Sequence, residues 1–247
     1  MEMNVKSFKD VLRKASINYL VPSVSLRIWN GKVVVASASP DNNAFVFLTL
    51  PNGVIDNDKE DFEFNFADIM QNLKPYLDLI KDEIVNVKVD NNKLIVKDSQ
   101  KKKMNWFFCT KEFTNHFSGD DRSDEFDYFY ETKLNQDFLN IFNEIKKIAT
   151  RFGKIYFTCK DGKIYIESTD KTNSFCNSLD VEMDDVKKDF EVTLCFDFKN
   201  LSNIITTIED EIDQYTLKMT YIADSDAGMA VFSKGNQERY FITSKSE

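Results

Sequence analysis

Hydrophobic positions along this chain change period in a fixed order, and the order recurs four times. Each cycle has a stretch with apolar residues at helical spacing, then alternating apolar and polar residues, a tight turn and more alternation. In the first cycle Val5, Phe8, Val11, Leu12 and Ala15 share one stripe of a helical wheel, which predicts a helix over 5–15. Strands follow at 23–29, 32–39 and 45–50. The second cycle predicts a strand at 62–66, a helix at 67–79 containing Pro75, and strands at 84–89, 93–98 and 104–109. The third predicts a strand at 128–133, a helix at 135–152, and strands at 154–159, 163–168 and 174–181. The last predicts a strand at 190–196, a helix at 198–208, and strands at 215–221, 229–234 and 238–243.

Turns keep the same beat. Asn30-Gly31, Asn91-Asn92, Asp161-Gly162 and a looser Ala227-Gly228 recur at roughly 60 to 70 residues, as do the helix centres Phe8, Ile69, Phe138 and Leu201. Asn-Gly and Asp-Gly supply the positive φ that a two-residue hairpin needs. Residues 110–127 break the beat with a polar, acidic run, Ser118-Gly119-Asp120-Asp121-Arg122-Ser123-Asp124-Glu125, and read as a connector. The expected organisation is therefore α+β: four β-α-β-β-β modules in two similar domains, 1–109 and 128–247, joined by 110–127. A chain made of copies favours a ring or array over a single active-site pocket.

At 247 residues there is room for two domains with substantial cores. No apolar run approaches the roughly 20 residues of a membrane span, and Met1-Glu2-Met3-Asn4 is too polar for a signal peptide, so a cytoplasmic protein is expected. Cys109, Cys159, Cys176 and Cys195 show no CxxC spacing and sit in apolar strand patterns, as buried thiols do. The sole histidine, His116, lies in a polar stretch, and no metal or other cofactor is expected. There is no Gly-rich phosphate loop, no HExxH-like pair and no second histidine for a triad, so no enzyme is expected. Abundant Asn, Lys, Ile and Phe with only 7 Gly and 4 Pro fit an AT-rich genome, such as a virus's.

Net charge is −9, from 32 basic and 41 acidic residues, which on average disfavours nucleic acid. Location changes that picture. The predicted helices hold nine bases, Lys6, Lys9, Arg13, Lys14, Lys74, Lys146, Lys147, Arg151 and Lys199, against fewer acids, among them Asp10, Asp68, Asp137 and Glu144. Acids cluster instead at 56–61, 120–127, 184–189 and 209–213. Lys and Arg are also ordinary helix formers, so one basic helix face would mean little. Four in one repeated topology point to a phosphate-contacting surface that reads no sequence.

Several segments carry a family resemblance. Tyr215-Thr216-Leu217-Lys218-Met219-Thr220-Tyr221, Gly228-Met229-Ala230-Val231-Phe232 and Arg239-Tyr240-Phe241-Ile242-Thr243 resemble the closing strands of the DNA polymerase sliding clamps of T-even phages. Met104-Asn105-Trp106-Phe107-Phe108-Cys109 resembles the strand that closes their first domain. The four-fold topology likewise resembles proliferating cell nuclear antigen. The resemblance implies a DNA clamp fold with helices lining an inner face, sheets outside, and a homotrimeric ring around double-stranded DNA. It implies that 104–109 of one subunit pairs with 175–181 of the next, with Met104, Trp106, Phe108, Phe175, Asn177 and Leu179 at the interface; closure would also satisfy exposed strand edges. DNA polymerase and a clamp-loader ATPase are the implied partners, docking beside the connector and last strand, where Phe113, Phe117, Tyr240 and Ile242 are candidates. In phage clamps that surface also serves transcription factors. Phe113 and Phe117 could equally pin the connector to its sheet. Two other functions fit the residues: a monomeric polymerase accessory protein that holds DNA by charge alone, and a protein-interaction scaffold.

Overall fold

The computed structural model describes residues 1–55, 62–119, 121–171, 178–186, 191–222 and 227–244. The chain divides into two compact units, Met1–Gly119 and Asp120–Glu247.

The first unit runs β1 (Glu2–Asn4), α1 (Val5–Ala15), β2 (Val24–Trp29), β3 (Lys32–Ala38), β4 (Ala44–Pro51), β5 (Phe62–Phe66), α2 (Ile69–Asn72), α3 (Lys74–Leu79), β6 (Ile84–Asp90), β7 (Lys93–Lys97) and β8 (Lys103–Phe107). Its strands form antiparallel layers ordered β1-β6-β7-β8 and β5-β2-β3-β4. The second runs β9 (Tyr128–Lys133), α4 (Gln136–Phe152), β10 (Lys154–Lys160), β11 (Lys163–Ser168), β12 (Leu179–Asp185), β13 (Val192–Asp197), α5 (Phe198–Ile208), β14 (Thr216–Ile222), β15 (Ala227–Lys234) and β16 (Glu238–Thr243). Its layers are β9-β14-β15-β16 and β13-β10-β11-β12. Strand for strand the two orders are the same. In both units the first strand leaves its own module to pair with the other, β1 on β6 and β9 on β14, so neither module closes alone.

Turn chemistry explains the registers. Asn30 and Gly31 take φ of 48° and 68°, and Asp161 and Gly162 take 52° and 74°. Paired positive φ is the twist that lets β2 return as β3, and β10 as β11, without splaying. Gly228 behaves differently. It lies inside β15, where an added Cβ would sit 2.3 Å from the Leu194 side chain, so its smallness serves packing and not the expected turn. Residues 223–226, which precede it, lie outside the described residues.

The core of each unit is aromatic. Phe8 of α1 stacks on Trp106 of β8 at 5.8 Å and meets Phe66 edge-on at 6.0 Å. In the second unit Phe142 of α4 packs on Phe198 of α5 at 6.2 Å, and Phe157 meets Phe196 at 5.7 Å. Each such pair contributes about 1 kcal/mol beyond its buried area. The single helix expected over 67–79 is two short ones. Leu73 breaks the chain with φ of −123°, and Pro75 sits in the first turn of α3, where its missing N–H costs nothing. The strand expected at 174–181 is observed as β12 at Leu179–Asp185, with 172–177 outside the described residues.

Candidate nucleic-acid interface

Local sequence fixes each long helix. Asn4 caps α1 by accepting from Ser7 N at 2.9 Å, Asn135 caps α4 through Phe138 N, and Asp197 caps α5 through Asn200 N, both at 3.0 Å. Each cap is worth about 1 kcal/mol. Gly153 ends α4 in the left-handed region at φ 69°. With one stripe buried, the opposite stripe of each helix is left to carry charge.

The nine predicted cations differ in what surrounds them. On α1, Arg13 pairs with Asp10 at 3.0 Å, while Lys9 reaches across to Asp78 of α3 at 3.4 Å, the same carboxylate that Lys74 holds at 2.8 Å. Asp78, a further acid of the 67–79 segment, engages two of these bases at once. Its carboxyl is held below the usual range by the hydrogen bond from Lys74, and the Lys74 amine is pushed up by the same bond. Lys14 corrects the expectation of an exposed base: its side chain is only 7% exposed, with the stem covered and the amine 3.5 Å from Asp10. Lys6 stays exposed.

In the second unit the predicted cations stand apart from the described acids. Lys146, Lys147 and Arg151 on α4 and Lys199 on α5 are exposed and make no ion pair with any described residue. The two helices touch through Phe142 and Phe198, so the four cations belong to one pair of packed helices. Asn140, Asn143 and Thr150 share the solvent side of α4.

The edge residues need another correction. Trp106 points into the core of the first unit against Phe8, and Phe108 packs on Phe64 and Phe66 at 5.5 and 5.7 Å. Met104 is half-buried on the same side. The outward positions of β8 are Lys103, Asn105 and Phe107, the last 64% exposed. β8 and β12 are terminal strands of their layers, and Leu179 opens β12 half-buried. Phe175 and Asn177 lie outside the described residues.

Of the connector candidates, Phe117 packs edge-on against Phe45 and Phe47 at 4.9 and 5.5 Å, whereas Phe113 is 72% exposed. Tyr240 and Ile242 are fully buried in the second unit and offer no surface. His116 accompanies Phe117, with Nδ1 donating to the Ala36 carbonyl at 3.1 Å. Desolvation, aided by Lys111, pulls its pKa below the ordinary value. Arg239 takes a role that no local sequence signal announces. Its guanidinium, 9% exposed, donates to Asp121 at 2.7 Å, Ser123 Oγ at 2.6 Å, Asn236 at 2.6 Å and Asp124 at 3.2 Å. It ties residues 121–124 to β16.

Two α+β units of the same strand order, each with antiparallel layers and its helices packed on them, define the sliding-clamp fold. No protein-family model matches the sequence, and no curated protein matches it at a significant level. Solved structures do. A structure of A. fulgidus PCNA with the C-terminal region of FEN-1 bound is similar over all of this chain and 98% of that one, with a TM-score of 0.67 at 16% identity. A chain of the PCNA2–PCNA3 complex from Sulfolobus tokodaii is similar over 100% of both, with a TM-score of 0.66 at 13% identity. No described helix is long and apolar enough to cross a membrane.

Proposed function

We propose that this protein is a sliding clamp, three copies closing a ring around duplex DNA and tethering the replicative polymerase during synthesis. The observation that carries the reading is the set of four exposed cations, Lys146, Lys147, Arg151 and Lys199, with no ion pair to any described residue, on two packed helices of an acidic protein with the clamp fold. Such a face holds phosphates without reading bases, as a sliding contact requires. Acid on the rest of the chain keeps DNA from settling elsewhere. Lys6, Lys9, Arg13 and Lys74 add charge partly spent on Asp10 and Asp78, so the second unit supplies most of the grip. A clamp loader would open and close the ring. The C-terminal region of FEN-1 bound to the A. fulgidus protein supports a peptide-docking role, for which the exposed Phe113 of the connector is our candidate anchor. Replacing Lys6, Arg13, Lys147 and Arg151 together with Ala weakens loading and processivity stimulation and leaves the solution mass unchanged. Unaltered stimulation would remove these helices from the DNA contact.

A further inference from the structure

Lysines gather on the solvent side of the β1-β6-β7-β8 layer. In its registers Lys97 of β7 lies between Asn86 of β6 and Lys103 of β8. The next row is Lys88, Ile95 and Asn105, and the third is Asp90, Lys93 and Phe107. The alternate positions, Val85, Val87, Leu94, Val96 and Trp106, are buried, and Trp106 stacks on Phe8 of α1. The three rows therefore face away from α1, on the side of the layer opposite that helix.

Lys88, Lys97 and Lys103 are exposed and make no ion pair with any described residue. Lys97 and Lys103 are direct cross-strand partners, and like charges in that position repel each other. Lys101 and Lys102, both exposed, extend the run into the turn before β8. Of the acids on this face, Asp90 is held by Lys93 at 3.6 Å, and Glu2 lies at the far end of the first row, beyond Asn86. A cationic sheet face on a chain of net charge −9 suits an anionic partner.

Phe107 selects which anion. Its ring is 64% exposed, and the Lys93 amine sits 5.9 Å from the ring centre. Lys103 and Phe107 are about 13 Å apart along β8, so one extended strand of nucleotides can reach both. A free ring for a base, cations along the sheet for phosphates and the Asn86 and Asn105 amides for sugar and base edges are the parts of a single-strand surface. Duplex DNA keeps its base faces stacked inside and would leave Phe107 unused. An acidic peptide brings charge but no base to stack. We propose that the solvent face of β6-β7-β8 binds single-stranded nucleic acid, with phosphates on Lys88, Lys97 and Lys103 and a base on Phe107. The site lies within the first unit and apart from the helix face assigned to duplex DNA, so neither reading depends on the other.

The test is binding of a labelled oligo(dT) of about 15 nucleotides to the full chain, with oligo(rU), a duplex of equal length and poly-glutamate run beside it. A single strand, deoxy or ribo, binds, and the affinity falls with salt. Lys88→Ala/Lys97→Ala/Lys103→Ala weakens binding at least about tenfold and flattens the log–log salt slope by about 2, from three contacts at about 0.7 each. Phe107→Leu, which keeps apolar bulk without the ring, weakens it at least about fivefold. A 5-iodouracil oligonucleotide cross-links to Phe107. Lys147→Ala/Arg151→Ala leaves single-strand binding unchanged while it lowers duplex retention, so the two readings fail separately. Far-UV circular dichroism verifies folding, and if the Phe107→Leu chain does not fold, the wild-type cross-link decides. Failure of both single strands to bind, or a triple-lysine variant that binds as wild type does, overturns the proposal. Poly-glutamate that displaces oligo(dT) as well as unlabelled oligo(dT) does at equal charge makes this an acidic-protein site and overturns it too. So does equal duplex affinity through the same three lysines.

Discussion

Arg239→Met removes the guanidinium that joins residues 121–124 to β16 while keeping most of the side-chain volume. The cost can be worked partner by partner. Asp124, 80% exposed, loses little, because a wet ion pair is worth well under 1 kcal/mol. Asp121 is 22% exposed and Arg239 9%; breaking a buried pair costs about 3–5 kcal/mol, and partial hydration of Asp121 lowers that to about 2–3. Ser123 Oγ, on a residue only 4% exposed, loses its 2.6 Å partner for about 1 kcal/mol more. The bond from Tyr128 Oη to Ser123 O, 2.6 Å, remains, so the segment loosens without detaching. The sum, about 3–4 kcal/mol, lowers the melting temperature of a chain this size by about 6–16 °C. Urea unfolding gives the free energy, and amide exchange at 121–126 localises it. Asp121→Asn costs about 1 kcal/mol alone, and the double variant costs less than the sum, since each substitution removes the same contact. A loss under about 0.5 kcal/mol for Arg239→Met, or strict additivity, would refute the reasoning.

Two other predictions concern charge. Asp78→Asn frees Lys9 and Lys74 from their shared carboxylate, so DNA association strengthens at low salt and the log–log salt slope steepens by about 1 to 2 units; an unchanged slope would show that these lysines do not reach phosphate. His116 is the only histidine, and its pKa is depressed by desolvation in the folded state. The folded form therefore binds this proton less well than the unfolded one. Its contribution is intact above the ordinary value of about 6.5 and declines as pH falls through it. Denaturation midpoints of the first unit should drop from about pH 7.5 to about pH 5.5, and His116→Asn, which can still donate to Ala36, should flatten that drop.

Elements with a self-contained signal were legible from sequence. The 5–15 and 198–208 helices have the bounds their apolar stripes and caps, Asn4 and Asp197, dictate. Hairpins at Asn30-Gly31 and Asp161-Gly162 follow from residues that accept positive φ. The parity of β8 was not legible, because Trp106, Phe107 and Phe108 are consecutive aromatics without alternation. The outcome is decided by Phe8, nearly a hundred positions away, onto which only Trp106 stacks. Lys14 sits on the polar side of an ideal wheel, but the fold around α1 covers its stem. Asp78 gains its role only when α3 packs near Lys9, and Arg239 only when β16 meets 121–124. Such contacts are properties of the assembled unit. No local pattern encodes them.

The central claim is topological enclosure of DNA, and retention on circular against linearised duplex tests it most directly. After loading, a ring closed around DNA persists on the circle at moderate salt and is lost within one measurement once the circle is cut. Equal retention on both forms, falling with salt alone, would contradict the ring and leave a protein that holds DNA by charge.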